Sequence, residues 1–395
     1  MRSTPVPALL LVAACAGGTG VRSPAGESGD GTVGDSSSTI DTIDPTHFSS
    51  TGADGSDDAT ATGASASSST ASATEGSSGS SSAATTAGDG PQVTAISPDD
   101  GATGVAADTT IAIDFSAAMA AASLVADDGS CSGSVQLSTD DFASCEAIAD
   151  VALQRGDTRA VITPAAALPS TANVRVRVTP DATAADGAPL AATYESAGFV
   201  VRYFHTIAID GVDDWHGDET FATSTMGHSA YVAWDDAYVY LAMRSPDVAV
   251  PNDQVWVVVY FGGAAGSSDG VLYNTQQPAL PFAAQWHWRW RASNDFTDVL
   301  EFDGMSWQSG GWAIAMGDVW QSGELLELRV ARSDLGDPDQ LELHMGIVRE
   351  QALDEASWAA FPSGSYVDGY DPDYGEYWSF DLQGSVAPGA HVPLP

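Results

Sequence analysis

The 395-residue sequence contains no lysine; its 13 basic residues are all arginine, set against 53 Asp and Glu, for a formal net charge of −40. That balance excludes the phosphate-contacting surfaces of most nucleic-acid binders. It also excludes attachment to anionic lipid through a basic patch. Residues 1–90 hold no Trp and no Tyr, and residues 49–90 consist only of Ser, Thr, Gly, Ala, Asp and Glu. With nothing large to bury, such a stretch cannot repay the entropy of ordering. Enzyme signatures are missing too. There is no His-Glu-x-x-His, no Gly-x-Ser-x-Gly leading into a helix and no glycine-rich phosphate loop. What is present is uneven: all 11 Trp lie between Trp215 and Trp378, and the charge divides as −8 over residues 1–90, −9 over 91–204 and −23 over 205–395.

Met1 and Arg2 precede a short apolar run, Val6–Ala14. At nine residues it is too short for the roughly 30 Å of bilayer hydrocarbon and reads as the core of a signal peptide, residues 1–14. The run ends in Val12-Ala13-Ala14-Cys15, which resembles a bacterial lipobox. That resemblance implies that Cys15 is acylated and becomes the mature N-terminus, several acyl chains together giving stable anchoring. An ordinary secretory signal with an incidental cysteine is the alternative. Residues 15–90 then form a lipid-anchored disordered tether, whose low-complexity part reaches about 35–40 Å as a flexible coil. The expected location is exported, lipid-anchored to the bacterial outer membrane or cell surface, with no membrane contact beyond the anchor.

Residues 91–206 carry period-two runs, Thr110–Phe115 and Asn173–Val178, separated by turn signals such as Pro98-Asp99-Asp100-Gly101 and Asp186-Gly187. Short strands and many turns predict an antiparallel sandwich. The segment Ile96-Ser97-Pro98-Asp99-Asp100-Gly101-Ala102-Thr103-Gly104-Val105, the strand ending Phe115-Ser116-Ala117-Ala118-Met119 and the closing Phe204-His205-Thr206 resemble the bacterial Ig-like domain of S-layer-type surface proteins. That family implies a spacer or display role and no catalytic residues. Cys131 and Cys145, a lone pair in an exported chain, predict a disulfide. The competing nucleophile reading of Gly129-Ser130-Cys131-Ser132-Gly133 lacks the required strand before it and helix after it.

Residues 207–395 alternate again, in Tyr231–Trp234, Tyr238–Leu241 and Val255–Phe261, with β-branched and aromatic residues dominant. The whole chain is therefore expected to be all-β, with two antiparallel β-sandwich domains. Four stretches, opening at Ile209–Trp215 and continuing through Ala230–Leu241, Asn252–Val259 and Glu324–Gly336, resemble family 9 carbohydrate-binding modules, with Ala331 where that family usually has Pro. The resemblance implies sugar held between aromatic rings, and often a structural calcium ion. The aromatic positions are sought physically. Gln285-Trp286-His287-Trp288-Arg289-Trp290-Arg291 places three indoles on one strand face and His287, Arg289 and Arg291 on the other. Two readings stay open: an exposed ligand platform, or a Trp core with Arg paired to surface Asp. In either case one face of this strand is expected to be exposed. Trp307 and Trp312, flanking a Gly-rich turn, are the second candidates. Asp368, Asp371, Asp373 and Glu376 offer hard oxygen ligands for Ca²⁺, with a solvated acidic surface as the alternative. His216, His228, His287 and His344 show no metal-ligand spacing, and haem ligation by Met243 and His344 has no spacing to support it either.

The resulting expectation is a non-catalytic cell-surface lipoprotein whose outer domain binds glycan or polysaccharide and whose Ig-like domain is a spacer. Its rivals are a structural or protein-binding surface component without sugar ligand, and an accessory subunit of a surface enzyme complex.

Overall fold

The computed structural model describes residues 90–351 and 353–395. Cys15, the signal segment 1–14 and the tether assigned to residues 15–90, apart from Gly90, lie outside the described residues. The fold is all-β: two antiparallel sandwiches and, among the described residues, no α-helix. No helix among the described residues is long and apolar enough to cross a membrane.

The first sandwich packs two four-stranded sheets. One has the order Val93–Ser97, Ile111–Phe115, Arg159–Pro164, Ile148–Gln154; in the other, Asn173–Val178 pairs with Val135–Ser138, Tyr194–Glu195 and Phe199–Val200. The alternation in the sequence is the burial pattern itself. Ile111, Ile113 and Phe115 point inward from one sheet, and Val174, Val176 and Val178 from the other. Cys131 and Cys145 form a disulfide, with Cα atoms 5.3 Å apart. The nucleophile reading of Cys131 ends there. Beside the bridge, the buried Asp127 carboxylate accepts N–H bonds from Gly129, Cys131 and Gly133 at 2.7, 3.0 and 2.8 Å, which fixes the loop around one anion.

The second sandwich stacks a five-stranded sheet, Val319–Ser322, Leu325–Ala331, Tyr238–Arg244, Ser229–Trp234, Thr220–Ala222, on a seven-stranded one. The latter runs Trp307–Ser309, Thr297–Phe302, Ala279–Arg291, Val255–Asp269, Gln340–Arg349, Ala356–Phe361, with Trp378–Asp381 also on Gln340–Arg349. Val255, Val257, Val259 and Phe261 face the inter-sheet core. Their alternates Trp256, Val258 and Tyr260 are buried as well, in a second apolar layer on the outer face with Val271, Tyr273, Leu280, Phe282, Tyr366 and Tyr374. Long loops fold back over the sheet and cover it. Hence the unbroken apolar run Val255–Phe261, which marks a strand covered on both faces rather than a half-exposed one.

The two sandwiches are clamped to each other. Tyr203 leaves the first and enters the core of the second, edge-on to Trp234 with ring centroids 4.7 Å apart. The C-terminal segment closes the contact. The Tyr203 N–H donates to the Gly384 carbonyl at 2.8 Å and the Gly104 N–H to Ser385 Oγ at 2.7 Å. Arg202 reaches Gln383 at 3.2 Å and pairs with Asp236. Gly104 has φ +70°, and a Cβ there would press into the Gln383 carbonyl, so backbone approach and left-handed geometry both call for glycine.

Candidate functional site

The strand Ala279–Arg291 does not present a free face. Trp288 and Trp290 are each 1% exposed in the inter-sheet core, and Trp286 packs against the same cluster. On the other face His287 is fully buried under the covering loops, where Tyr273 Oη meets its Nε2 at 2.7 Å. The expectation of an exposed face on this strand is therefore corrected: the other sheet covers one side and folded-back loops cover His287 on the other, leaving only part of the Arg289 and Arg291 side chains in solvent, 22% and 26% exposed. Arg289 is held by Asp298 at 2.6 and 3.0 Å, and Arg291 by Asp295 at 2.9 Å through two bonds. Both guanidinium groups lie over Trp256 and Phe296, with centroid distances of 5.4–5.6 Å. These are paired, stacked cations, whose side chains tie adjacent strands together.

A bulge sets which residues of this strand face inward. Phe261 pairs with Trp286 but the next residue, Gly262, pairs with Ala284, leaving Gln285 as the extra residue. One inserted residue flips a period-two pattern. Leu280, Phe282 and Ala284 accordingly face the outer layer, whereas Trp286, Trp288 and Trp290 face the inter-sheet core.

Trp307 and Trp312 are half-buried. The Trp307 Nε1–H donates to the Asp269 carbonyl at 3.0 Å, and its ring packs on Tyr260 and His287. Trp312 stands edge-on to Phe261 and Trp286. The four carboxylates proposed for calcium do not converge. Asp368 accepts from the Ser224 and Thr225 hydroxyls at 2.6 Å each, Asp371 from the Gln277 N–H at 2.6 Å and Asp373 from the Ala279 N–H at 2.9 Å; Glu376 lies over Gly364. Each fixes a different point of the covering loops, and among the described residues these four do not bring three oxygens to one point.

Aromatic surface is found elsewhere. An open cleft of about 500 Å³ lies between the turn that joins Ala279–Arg291 to Thr297–Phe302 and the edge strand Val319–Ser322 of the other sheet, lined by Asn294, Phe296, Ile314, Met316 and Trp320. Trp320 is 49% exposed and Phe296 38%. Asn294 is fixed beneath them by accepting the Trp290 Nε1–H at 3.0 Å. No sequence pattern marks Trp320, because it stands alone in its run and its exposure is set by the tertiary fold.

A second grouping went unseen in the sequence. His205, His216 and Glu219 place one donor atom each within 4.8 Å of one another. Glu219 Oε1 is 2.8 Å from His205 Nδ1 and 3.3 Å from His216 Nδ1, and it accepts the Tyr203 hydroxyl at 2.6 Å. Glu219 is fully buried, and its Oε2 takes the His216 N–H at 2.7 Å, so the short turn Gly217–Glu219 is capped by its own last residue. The imidazoles stack with centroids 4.0 Å apart and planes 4° from parallel. The available signal was His216-x-x-Glu219 with His205 eleven residues upstream. His228, by contrast, pairs with Asp247, while His287 and His344 are buried apart from this group.

With this geometry in place, residues 87–205 match the bacterial Ig-like domain family, which defines the first sandwich. No curated protein matches the chain. Among solved structures, the N-terminal part of the bacterial S-layer protein SbsC is similar at 11% identity and a TM-score of 0.22, over 39% of this chain and 40% of that one. The S-layer protein rSbsC is similar at 8% identity and a TM-score of 0.21, over 65% of this chain and 39% of that one. The chain thus spans about 40% of these S-layer chains, and at such scores the likeness carries no argument about function.

Proposed function

We propose that this chain is a non-catalytic component of a bacterial cell surface, anchored through acyl groups on Cys15, that carries two clamped sandwiches beyond the low-complexity segment 49–90. The observation that carries the reading is the junction: a bacterial Ig-like sandwich runs directly into the second one through Tyr203, and the chain terminus is stitched back over the join at Gly384 and Ser385. Such a join resists bending between the two bodies, which suits a spacer that must hold its outer end away from the membrane. The test is fractionation of cells producing the full chain. Wild type should partition into detergent and Cys15→Ala should appear as soluble exported protein. Free secretion of the wild type would defeat the anchor.

A second reading, that the outer sandwich binds glycan, is favoured by one feature, the cleft bearing Trp320 and Phe296. Flat apolar rings pack on the C–H faces of sugars, and a fixed amide such as Asn294 bonds to hydroxyls. Shallow sites of this kind give dissociation constants between about 1 μM and 1 mM. Titrating the protein with soluble polysaccharides should shift Trp emission, and Trp320→Ala should abolish the shift. If no polysaccharide perturbs the emission, the purely structural reading stands.

A further inference from the structure

We propose that His205, His216 and Glu219 form a binding site for a divalent cation of the zinc type, and that the ion staples the junction between the two sandwiches. The donor set decides the class. Two imidazoles and one carboxylate suit borderline cations such as Zn²⁺, whereas Ca²⁺ and Mg²⁺ take oxygen shells. The spacing fits as well. Metal–donor bonds of ~2.0–2.1 Å place neighbouring ligand atoms of a tetrahedron ~3.3 Å apart. The carboxylate-to-imidazole separations here are 2.8 and 3.3 Å, close to such an edge before any ion draws the groups into place.

The supports of the site resemble those of a built one. Glu219 cannot swing away, because it is buried and its two oxygens are engaged by Tyr203 and the His216 N–H. Outer hydrogen bonds of that kind orient a ligating carboxylate. His205 is anchored through its N–H to the Trp234 carbonyl at 2.8 Å. His216 is the adjustable partner: its side chain is 62% exposed, so its ring can tilt out of the stack to aim Nδ1 at a shared ion. The same exposure opens the site to solvent, which supplies a fourth ligand position. Asp218 and the chain's net charge of −40 favour the arrival of a cation.

The placement explains what the ion would do. His205 lies two residues beyond Tyr203, on the segment that leads from the first sandwich into the second, while His216 and Glu219 belong to the turn that opens the second. Coordination by all three would tie the connecting segment to the sandwich it enters. The inference is independent of whether the surface binds glycan.

The experiment uses the full mature chain, stripped with chelator and titrated with zinc chloride by calorimetry, with cobalt(II) absorption as a report on tetrahedral N/O ligation. One ion per chain should bind, the thermal midpoint should rise with zinc, and millimolar calcium should not compete. His216→Ala should weaken zinc binding about tenfold or more. Its thermal midpoint should not rise with zinc as that of wild type does. His205→Ala should lose the cobalt spectrum. The proposal is overturned if no saturable one-to-one binding is seen, if calcium displaces zinc, or if His216→Ala binds as wild type does.

Discussion

Lowering the pH should destabilise this protein through two histidines that it buries without charge. His344 and His287 flank Tyr260 across adjacent strands of the seven-stranded sheet, and both are 0% exposed beneath the covering loops. His344 stacks on Tyr374 with centroids 4.0 Å apart, lies near Tyr366, and shares a 2.9 Å hydrogen bond with Ser365 Oγ. Burial pushes its imidazole down to about 3. His287, against Tyr260 and Tyr273, is held well below its ordinary value by burial first and by the Arg289 charge second. In the unfolded chain both imidazoles take up a proton below about pH 6.5, whereas in the folded chain neither does until much lower pH. The unfolded state therefore binds more protons, and stability falls as pH falls from 6.5 toward the folded-state values. Between about pH 7 and about pH 5.5 each histidine should cost about 1.2 kcal/mol, or about 2.5 kcal/mol for the pair. Glu327, Glu342 and Glu350 are raised by burial and act in the opposite sense, so the histidine contribution is read from the difference between wild type and a variant that lacks one imidazole. The assay is urea denaturation at the two pH values. His344→Gln keeps a polar partner for Ser365 and removes the titrating group, so it should lose about half of the pH-dependent drop. If wild-type stability is flat across this interval, or if His344→Gln follows wild type, the reasoning is wrong.

Trp288→Ala opens a cavity in the inter-sheet core and should cost about 3–5 kcal/mol in chemical denaturation, while Trp320→Ala at the exposed cleft should stay within about 0.5 kcal/mol. Reducing the Cys131–Cys145 bridge releases a loop of 14 residues' separation. By the chain-entropy estimate this should lower stability by about 3 kcal/mol, measured by unfolding with and without reductant. Asp127→Ala leaves three loop N–H groups without their shared acceptor and should destabilise the first sandwich by about 2–4 kcal/mol, with proteolysis appearing first between Asp127 and Cys145.

The division between sequence and structure follows from what each kind of signal encodes. Strand alternation is local: Ile111-Ala112-Ile113 and Val174-Arg175-Val176 announce a half-buried sheet because side-chain direction repeats every two residues. The same locality made the first sandwich recognisable, and chemistry alone pointed to the cysteine pair. The alternating indoles Trp286, Trp288 and Trp290 likewise showed that they share one face. Period-two patterning, however, cannot tell whether a face meets solvent or another layer. Here the loop bearing Val271 and Tyr273, which joins this strand to its neighbour, and the distant loop bearing Tyr366 and Tyr374 fold back together to cover it, so His287 is buried where an exposed site was expected. The acidic run Asp368–Glu376 was legible as charge, yet the direction of each carboxylate depends on which loop N–H or hydroxyl it meets, and the donors to Asp368, Asp371 and Asp373 lie between 94 and 144 residues away. The His205–His216–Glu219 grouping is also tertiary, because it requires a connecting segment to pass beside a one-turn cap. Residue order by itself determined the charge, the strands and the bridge; only folding decided which aromatic rings reach water and which imidazoles meet a carboxylate, because burial and convergence are set by how segments pack against one another, whatever their separation in the chain.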